Sequence, residues 1–217
     1  MKGRFDMGKS QLTPNVEFSH VASDERIAKT AEALTANGMQ TFVVANAEEA
    51  RKKVLELIPK GAEVFTATSR TLEQIGAVAE NASSGRYDVV RNRLVDLDQE
   101  GQERAKRQLG AAPDVLVASV HAITEQGQLV IASMSGSQMG PGVSGAAKVI
   151  YVVGAQKLVA HLDEGFRRIH EYALPLEDER ALNTYGVNSA VNKLLVINRE
   201  IVPGRISIIL VKENLGF

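Results

Sequence analysis

The sequence contains no cysteine and no tryptophan, and it has only four histidines among 217 residues. Without cysteine the chain can form no disulfide, use no cysteine nucleophile and hold no metal or iron–sulfur cluster through thiolates. None of the histidines stands in an H-x-x-x-H pair, so the spacing gives no support for a zinc site. We therefore predict no metal in this chain, and the absence of cysteine fits a reducing compartment.

Strong net charge and long apolar runs are also missing. Lys and Arg number 25 against 26 Asp and Glu, which leaves a net charge of −1 and no global basic footprint for nucleic acid. No stretch reaches the run of about 18 apolar residues that a membrane helix needs. The first residues, Met1–Asp6, lack the apolar segment of a signal peptide. These observations predict a cytoplasmic protein with no nucleic-acid partner and no membrane span.

The composition that is present is that of a globular protein. Hydrophobic residues make up 44% of the chain, enough to bury a sizeable core, and the length suits one domain, with or without an appended arm. The first twenty residues are polar and carry Pro14. We predict an N-terminal arm over residues 1–20 and a single α/β domain over residues 21–217.

Short apolar strands alternate with helices along the chain. Ser23 and two acidic residues open a first helix that Asn37-Gly38 ends, and Asn46 with Glu49 opens a second. Further helices are predicted over residues 98–109 and over residues 162–172, the latter ended by Pro175. Strands are predicted over residues 40–45, 63–66, 87–90, 114–119, 129–132 and 148–153. This alternation is typical of a parallel sheet that is covered on both faces.

Two places break the alternation. The strands on either side of Glu125-Gln126-Gly127 are so close in sequence that they predict an antiparallel insertion. Near the end, residues 194–197 and 206–211 flank a turn signal at Pro203-Gly204. We interpret these two segments as a C-terminal β-hairpin.

Ligands of open α/β sheets bind at the carboxyl ends of the strands, so the loops there are the candidate site. The first such loop carries Thr68, Ser69, Arg70 and Thr71 at the start of a helix. Hydroxyls and free backbone amides at a helix start suit a phosphate or carboxylate, and Arg70 could add a charged contact. The alternative is an ordinary capping box formed by Thr71 and Gln74.

The second loop, residues 133–145, interleaves glycines with serines between two strands. Such a loop can wrap an anion with its main-chain amides, because glycine permits close backbone approach. The alternative is a long, mobile connection without a ligand. The residues predicted to contact the ligand here are Ser135, Gly136, Ser137, Gln138, Gly140 and Gly142.

The third loop follows the strand over residues 114–119. Glu125 could act there as a nucleophile or general base, and the nearby His121 could orient it. The alternatives are a solvated turn carboxylate and a hydrogen-bonded histidine at a strand end. Lys157, after the strand over residues 148–153, could approach an anion at the same sheet edge, the alternative being a solvated lysine at a helix start.

Four segments together resemble the LUD domain, the lactate-utilisation family related to lactate-utilisation protein C. The resemblance starts at about Ser23 and is specific in combination rather than in any single piece. It implies a Rossmann-like α/β core of the NagB/RpiA/CoA-transferase-like type with added antiparallel strands. The segments are DVLVASVHAITEQGQLV (114–130), KVIYVVGAQKLV (148–159), ALPL (173–176) and GRISIILVKENLGF (204–217).

By that likeness Glu125 and the Gly136–Gly142 loop would face one cleft, with Ser69 and Thr71 opposite.

The chain departs from the family pattern in two ways. Many members carry asparagine where His121 stands and a G-N-G-N-R-like loop at residues 136–140. Many also carry a cysteine cluster before the last strands, where residues 182–192 hold no thiol. The chain therefore resembles a branch that lacks this cluster.

The family name implies an accessory subunit in the oxidation of lactate, or a similar 2-hydroxy acid, to pyruvate. Such a subunit would bind a small anionic ligand and depend on iron–sulfur and oxidoreductase partner chains. One alternative is a stand-alone enzyme of CoA-transferase or sugar-phosphate-isomerase type that uses Glu125. Another is a non-catalytic anion-sensing module. No cofactor is detectable, although the ligand could contain phosphate or CoA, and the size is compatible with a homodimer.

Overall fold

A computed structural model describes residues 12–77, 85–97 and 101–217. Its main sheet has six parallel strands in the order β1-β10-β7-β4-β2-β3. Residues along β7 alternate between two cores, one containing Val149 and Tyr151 and the other Ile150 and Val152. The predicted α/β fold with a parallel, doubly covered sheet is confirmed. The strands are β1 (Gln40–Val44), β2 (Glu63–Thr66), β3 (Asp88–Val89), β4 (Val115–Ala118), β7 (Lys148–Gly154) and β10 (Ile206–Val211).

A second, mixed sheet has the strand order β8-β5-β6-β9. Its strands β5 and β6 pair antiparallel, which confirms the predicted insertion. Gly127 ends the turn between them with φ +77°, and a Cβ there would lie 2.8 Å from the backbone of Ala33, so only glycine fits. The strands are β5 (Ala122–Thr124), β6 (Leu129–Ser133), β8 (Leu158–Val159) and β9 (Lys193–Ile197).

Helices cover both faces of the main sheet. Ile27 and Leu34 of α1 share a core with residues of the second sheet, while Ala50 and Val54 of α2 pack in the opposite core with Leu72 of α3. Ser23 accepts from the Arg26 amide at 3.3 Å and so caps α1, as its position predicts. The helices are α1 (Asp24–Ala36), α2 (Ala47–Leu57), α3 (Arg70–Gln74), α4 (Val90–Asp96), α5 (Glu103–Ala111), α6 (Leu162–Arg168) and α7 (Leu174–Tyr185).

The predicted C-terminal hairpin is wrong. Strand β9 pairs antiparallel with β6 in the second sheet, whereas β10 lies between β1 and β7 in the main sheet. All six residues of β10 are buried, as a central parallel strand requires, while β9 is half exposed at a sheet edge. The turn at Pro203-Gly204 exists, with Gly204 at φ +76°, but it connects strands of different sheets.

The predicted end of a helix at Pro175 is also wrong. A π-helical turn, Ile169–Ala173, joins α6 to α7, so the helical segment runs on to Tyr185. Pro175 stands in the first turn of α7. Proline has no backbone N–H, and the wider π-helical turn before it means that no helical hydrogen bond from this position is required. Gly186, in the left-handed region at φ +70°, ends the segment instead.

Three other expectations meet the structure only in part. The helix predicted over residues 98–109 is seen as α5, and its residues 98–100 lie outside the described ranges. The strand predicted over residues 87–90 is reduced to β3, because Val90 already begins α4. Of the predicted arm, residues 1–11 lie outside the described residues, while Asn15 donates its amide to the Glu171 carbonyl at 2.7 Å. The division into arm and domain stays a prediction.

No helix within the described ranges is both long and apolar enough to cross a membrane.

Candidate functional site

A cavity of about 290 Å³ opens where β2, β4 and β7 end. Each of these three neighbouring strands sends polar residues into it from the loop that follows its carboxyl end, as the general rule for α/β sheets predicts. The segment after β6, the π-helical turn over residues 169–173 and helix α7 complete the lining. The polar lining residues include Thr68, Ser69, Arg70, Thr71, Arg91, Ser119, His121, Ser135, Ser137, Gln138 and Lys157.

Lys157 lies at the base of the cavity with only 1% of its surface exposed. Its Nζ is 3.0 Å from Thr71 Oγ1, 3.1 Å from Ser119 Oγ and 3.2 Å from the carbonyl oxygen of Val120. No carboxylate of the described residues pairs with it. Burial, and secondly the charge of Arg168, hold the pKa of Lys157 well below its ordinary value. The alternative of a solvated lysine is therefore not what the structure shows.

Arg168 is a second buried basic group, behind the cavity wall. Its Nη1 donates to the His121 carbonyl at 2.5 Å, its Nε donates to the Gln156 carbonyl at 3.4 Å, and the guanidinium stacks 5.1 Å from the Tyr172 ring centre. Its Nη2 is buried and has no hydrogen-bond partner. Burial lowers the pKa of Arg168 to about 10. In the part of the chain that the structure describes, no carboxylate offsets its charge.

His121 lines the same cavity as a neutral ring. Its Nδ1 accepts a hydrogen bond from the Ala132 amide at 3.1 Å, so the ring proton must sit on Nε2. Burial, together with the charges of Lys157 and Arg168, lowers the pKa of His121 to about 3. The ring therefore offers an N–H donor to a ligand rather than a charge or a base.

The first predicted loop reaches the cavity with all three of its predicted contacts, Thr68, Ser69 and Thr71. The helix cap is Ser69, whose Oγ accepts from the Leu72 amide at 3.4 Å, and not Thr71. The Thr71 hydroxyl instead donates to the Leu215 carbonyl at 3.1 Å, which leaves its lone pairs for Lys157. Arg70 is paired with Glu73 at 2.5 Å.

The second predicted loop divides into two parts. Ser135, Ser137 and Gln138 line the cavity, whereas the glycines predicted with them do not. A Cβ on Gly136 would lie 2.8 Å from the Lys193 side chain, and one on Gly142 would lie 2.7 Å from the Tyr151 hydroxyl. A Cβ on Gly140 would meet open space. Gly136 and Gly142 therefore allow the loop to pack closely, and neither brings its backbone to the cavity.

Gly140, Gly142 and Gly145 have the G-x-G-x-x-G spacing of a dinucleotide-binding fingerprint. That motif needs a strand before it and an α-helix after it. Here Pro141–Gly145 forms a π-helical turn directly before β7, and a Cβ on Gly145 would collide with the Ala111 carbonyl oxygen at 1.7 Å. Gly142 and Gly145 therefore allow close packing in this fold, and the spacing is not a dinucleotide-binding motif.

Glu125 lies outside the cavity. Its Oε1 is 2.8 Å from Arg26 Nε and its Oε2 is 3.0 Å from Lys29 Nζ, and both partners stand on α1. The hydrogen bond from Lys29, followed by that from Arg26, lowers the pKa of Glu125 against the opposing effect of burial. The structure does not bring Glu125 into the cleft that Ser69 and Ser135 share, and its role as a nucleophile or base stays a prediction.

Neither Ser119 nor Arg168 was among the residues that the sequence predicted for the site. A helical-periodicity signal for Arg168 was present, because Gly165, Arg168 and Tyr172 fall on one buried stripe at spacings of three and four residues. Within the described residues, no group of three or more His, Asp or Glu side chains is placed to hold a metal ion.

Comparison with known proteins places this fold in a family. The family model of the LUD domain matches residues 27–211. The crystal structure of a DUF162 family protein from Deinococcus radiodurans at 1.70 Å resolution is similar, with a TM-score of 0.55 and 12% sequence identity. The match covers 88% of this chain and 99% of that one, and at this identity it shows the fold alone. No curated protein matches the sequence. On the family-model match, the chain belongs to the LUD domain family.

Proposed function

We propose that this cavity binds a small organic anion, and that the chain is an accessory protein in the oxidation of lactate, or a similar 2-hydroxy acid, to pyruvate. The observation that carries the proposal is the pair of buried basic groups, Lys157 and Arg168, without a carboxylate partner among the described residues. Burying such groups without a counter-ion is costly. A bound carboxylate supplies the missing charge.

The donors around these groups suit a 2-hydroxy acid. The hydroxyls of Ser69 and Ser119 and the Nε2–H of His121 surround a volume near the lower end of the range for metabolite pockets. A ligand that carries a carboxylate and a neighbouring hydroxyl can use both the charge and these neutral donors. The family's name, lactate utilisation, agrees with this class of ligand.

Electron transfer belongs to other chains in this proposal. The sequence contains no cysteine and therefore cannot ligate an iron–sulfur cluster through thiolates. Partner subunits with iron–sulfur and oxidoreductase functions would accept the electrons, while this chain holds the acid or organises the assembly. Purified chain that oxidised lactate with an added electron acceptor would contradict the accessory role.

Ligand binding is tested by thermal shift and calorimetry with lactate, pyruvate, inorganic phosphate and CoA. A ligand at 100 times its dissociation constant stabilises the fold by about 2.7 kcal/mol, which is readily measured. We expect saturable binding of lactate or pyruvate, weakened at least tenfold by Lys157→Met. Lys29→Met is the matched control, because Lys29 binds Glu125 outside the cavity. Binding of phosphate or CoA alone, or equal affinities for the two variants, would overturn the proposal.

Binding should also depend on pH. Because burial lowers the pKa of Lys157 and a bound anion raises it again, binding takes up a proton. Affinity should therefore rise as pH falls through the pKa of the complex and be lost above it. Calorimetry in two buffers of different ionisation enthalpy measures the proton uptake directly. A proton count of zero at every pH would contradict this coupling.

A further inference from the structure

Ser119 lines the cavity beside Lys157. We infer that Ser119 and Lys157 are a nucleophile and its general base, and that they cleave an ester or thioester of a 2-hydroxy acid. The choice of acyl group rests on the proposed function, because the carboxylate released is the ligand that the cavity is proposed to hold. The pair itself rests on the geometry around Ser119.

The distances place the two groups in direct contact. Ser119 lines the cavity, is 8% exposed, and has its Oγ 3.1 Å from Lys157 Nζ. This is the arrangement of an activated nucleophile: nucleophile and base within hydrogen-bond reach, and the base held by further groups. Those holding groups are Thr71 Oγ1 and the Val120 carbonyl oxygen.

The hydrogen-bond directions fit an unprotonated amine. The Thr71 hydroxyl gives its proton to the Leu215 carbonyl, so toward Lys157 it can only accept. The Val120 carbonyl oxygen is likewise an acceptor. These two can take both N–H groups of a neutral amine, which leaves a lone pair on Nζ for Ser119 Oγ, 3.1 Å away. The Ser119 hydroxyl bonds the Val120 carbonyl oxygen at 3.4 Å, so it must turn from that oxygen to give its proton to Lys157.

The surroundings favour that protonation state. No carboxylate from residues 12–77, 85–97 or 101–217 is bonded to Lys157, and the positive Arg168 is close enough to depress its pKa further. A lysine whose pKa is lowered by burial can act as a general base. Ser–Lys pairs of this kind are a known variant of the serine–histidine arrangement.

Donors for the developing negative charge are also present. The Nε2–H of His121 is fixed by the bond between its Nδ1 and the Ala132 amide. Arg168 donates a hydrogen bond to the His121 carbonyl oxygen. The positive charge of Arg168 therefore lies next to the segment that carries Ser119 and His121. Fixed donors and charges of this kind stabilise an oxyanion without reorganisation during the reaction.

The reaction balances without an oxidant or a cofactor. Ser119 Oγ attacks the acyl carbon while its proton passes to Lys157 Nζ. The C–O or C–S bond breaks, and the alcohol or thiol leaves with that proton. Water, deprotonated by Lys157, then attacks the serine ester, and Ser119 recovers its proton as the carboxylic acid is released. The net change is ester or thioester plus water to acid plus alcohol or thiol.

The pair is tested on the full chain with a fluorophosphonate and with p-nitrophenyl acetate, followed by mass spectrometry of the intact protein and its peptides. We expect a single adduct on Ser119, none in Ser119→Ala, and labelling at least 100-fold slower in Lys157→Met. The rate should rise with pH through one ionisation that Lys157→Met removes. Ser19→Ala is the matched control, because its hydroxyl only bonds the Val16 carbonyl, and it should react as the wild type does.

The mapped adduct on the wild-type chain requires no variant to fold. Absence of an adduct on Ser119 between pH 6 and 9, or an unchanged rate and pH profile in a folded Lys157→Met variant, would overturn the inference. If lactate still shifts the melting temperature of a chain that forms no adduct, the proposed function survives and this inference fails. If the adduct forms but lactate does not bind, Ser119 and Lys157 still act as nucleophile and base, and the 2-hydroxy acid is excluded as the acyl group of the substrate.

Discussion

His121 shows how one side chain couples the site to stability. In the folded protein its pKa is about 3 against an ordinary value of 6.5, because the ring is buried beside two basic groups. Between these two pH values the unfolded chain binds a proton that the folded chain does not. Stability is therefore complete above pH 6.5 and is lost progressively as pH falls toward 3.

The His121→Asn variant should remove this acid sensitivity. Asparagine keeps an acceptor for the Ala132 amide at the position of Nδ1 but cannot titrate. As the pH falls from 6.5 to 3, the wild type should lose up to roughly 5 kcal/mol of its free energy of unfolding because of this residue. The variant should not show this loss. Urea unfolding at pH 7 and pH 4.5 measures the difference. Equal losses in the two proteins would show that His121 does not cause the acid sensitivity.

The sequence was sufficient to find the polar residues that directly follow strands. Thr68, Ser69, Thr71 and Lys157 reach the cavity because the carboxyl ends of neighbouring parallel strands meet at one sheet edge. Glu125 follows the same local pattern but belongs to the second sheet, and a turn between two strands directs it to α1 instead. The short spacing around Glu125 predicts the antiparallel pair of strands, but it does not reveal that these strands belong to a separate sheet whose turn faces α1.

At the scale of elements, Glu125 joins the β5–β6 turn to helix α1. Its two oxygens bind Arg26 and Lys29, and its side chain is 21% exposed. We expect Glu125→Gln to lower the free energy of unfolding by about 1–2 kcal/mol, since two partly exposed pairs are lost. Lactate affinity should not change, because Glu125 lies outside the cavity. Urea unfolding and calorimetry on the same samples check both parts.

Glu56→Gln is the matched control for that experiment. Glu56 pairs with Lys53 on the same helix, and its side chain is 66% exposed, so its loss should cost less than about 0.5 kcal/mol. A tenfold loss of lactate affinity in Glu125→Gln alone would bring Glu125 back as a site residue.

The helical wall of the cavity illustrates what element-level prediction cannot supply. The periodicity of residues 162–172 predicts a helix, and Pro175 then indicates its end. The π-helical turn Ile169–Ala173 carries the chain past that proline and lets Ile169 and Ala173 line the cavity. A π-turn depends on tertiary packing rather than on local propensity, so the single sequence gave no signal for it.

For the whole molecule, the decisive feature is the position of β10. The strand pairs Gln40 with Ser207 on one side and Ile206 with Val149 on the other, so it joins distant parts of the chain inside the sheet. The apolar run of β10 identifies a buried strand, but strand order is set by which pairings bury the most surface. The fold class therefore followed from the sequence, whereas the partner of β10 did not.

A chain that ends at Gly204 should consequently fail to fold, because it loses β10 and leaves the facing edges of β1 and β7 unpaired. The matched change inserts six Gly and Ser residues between Asn198 and Arg199. The insertion lengthens the exposed connection between the two sheets, where added length costs about 1 kcal/mol or less. Circular dichroism and limited proteolysis distinguish the two chains. A truncated chain with native helix content and wild-type protease resistance would mean that β10 is not required between β1 and β7.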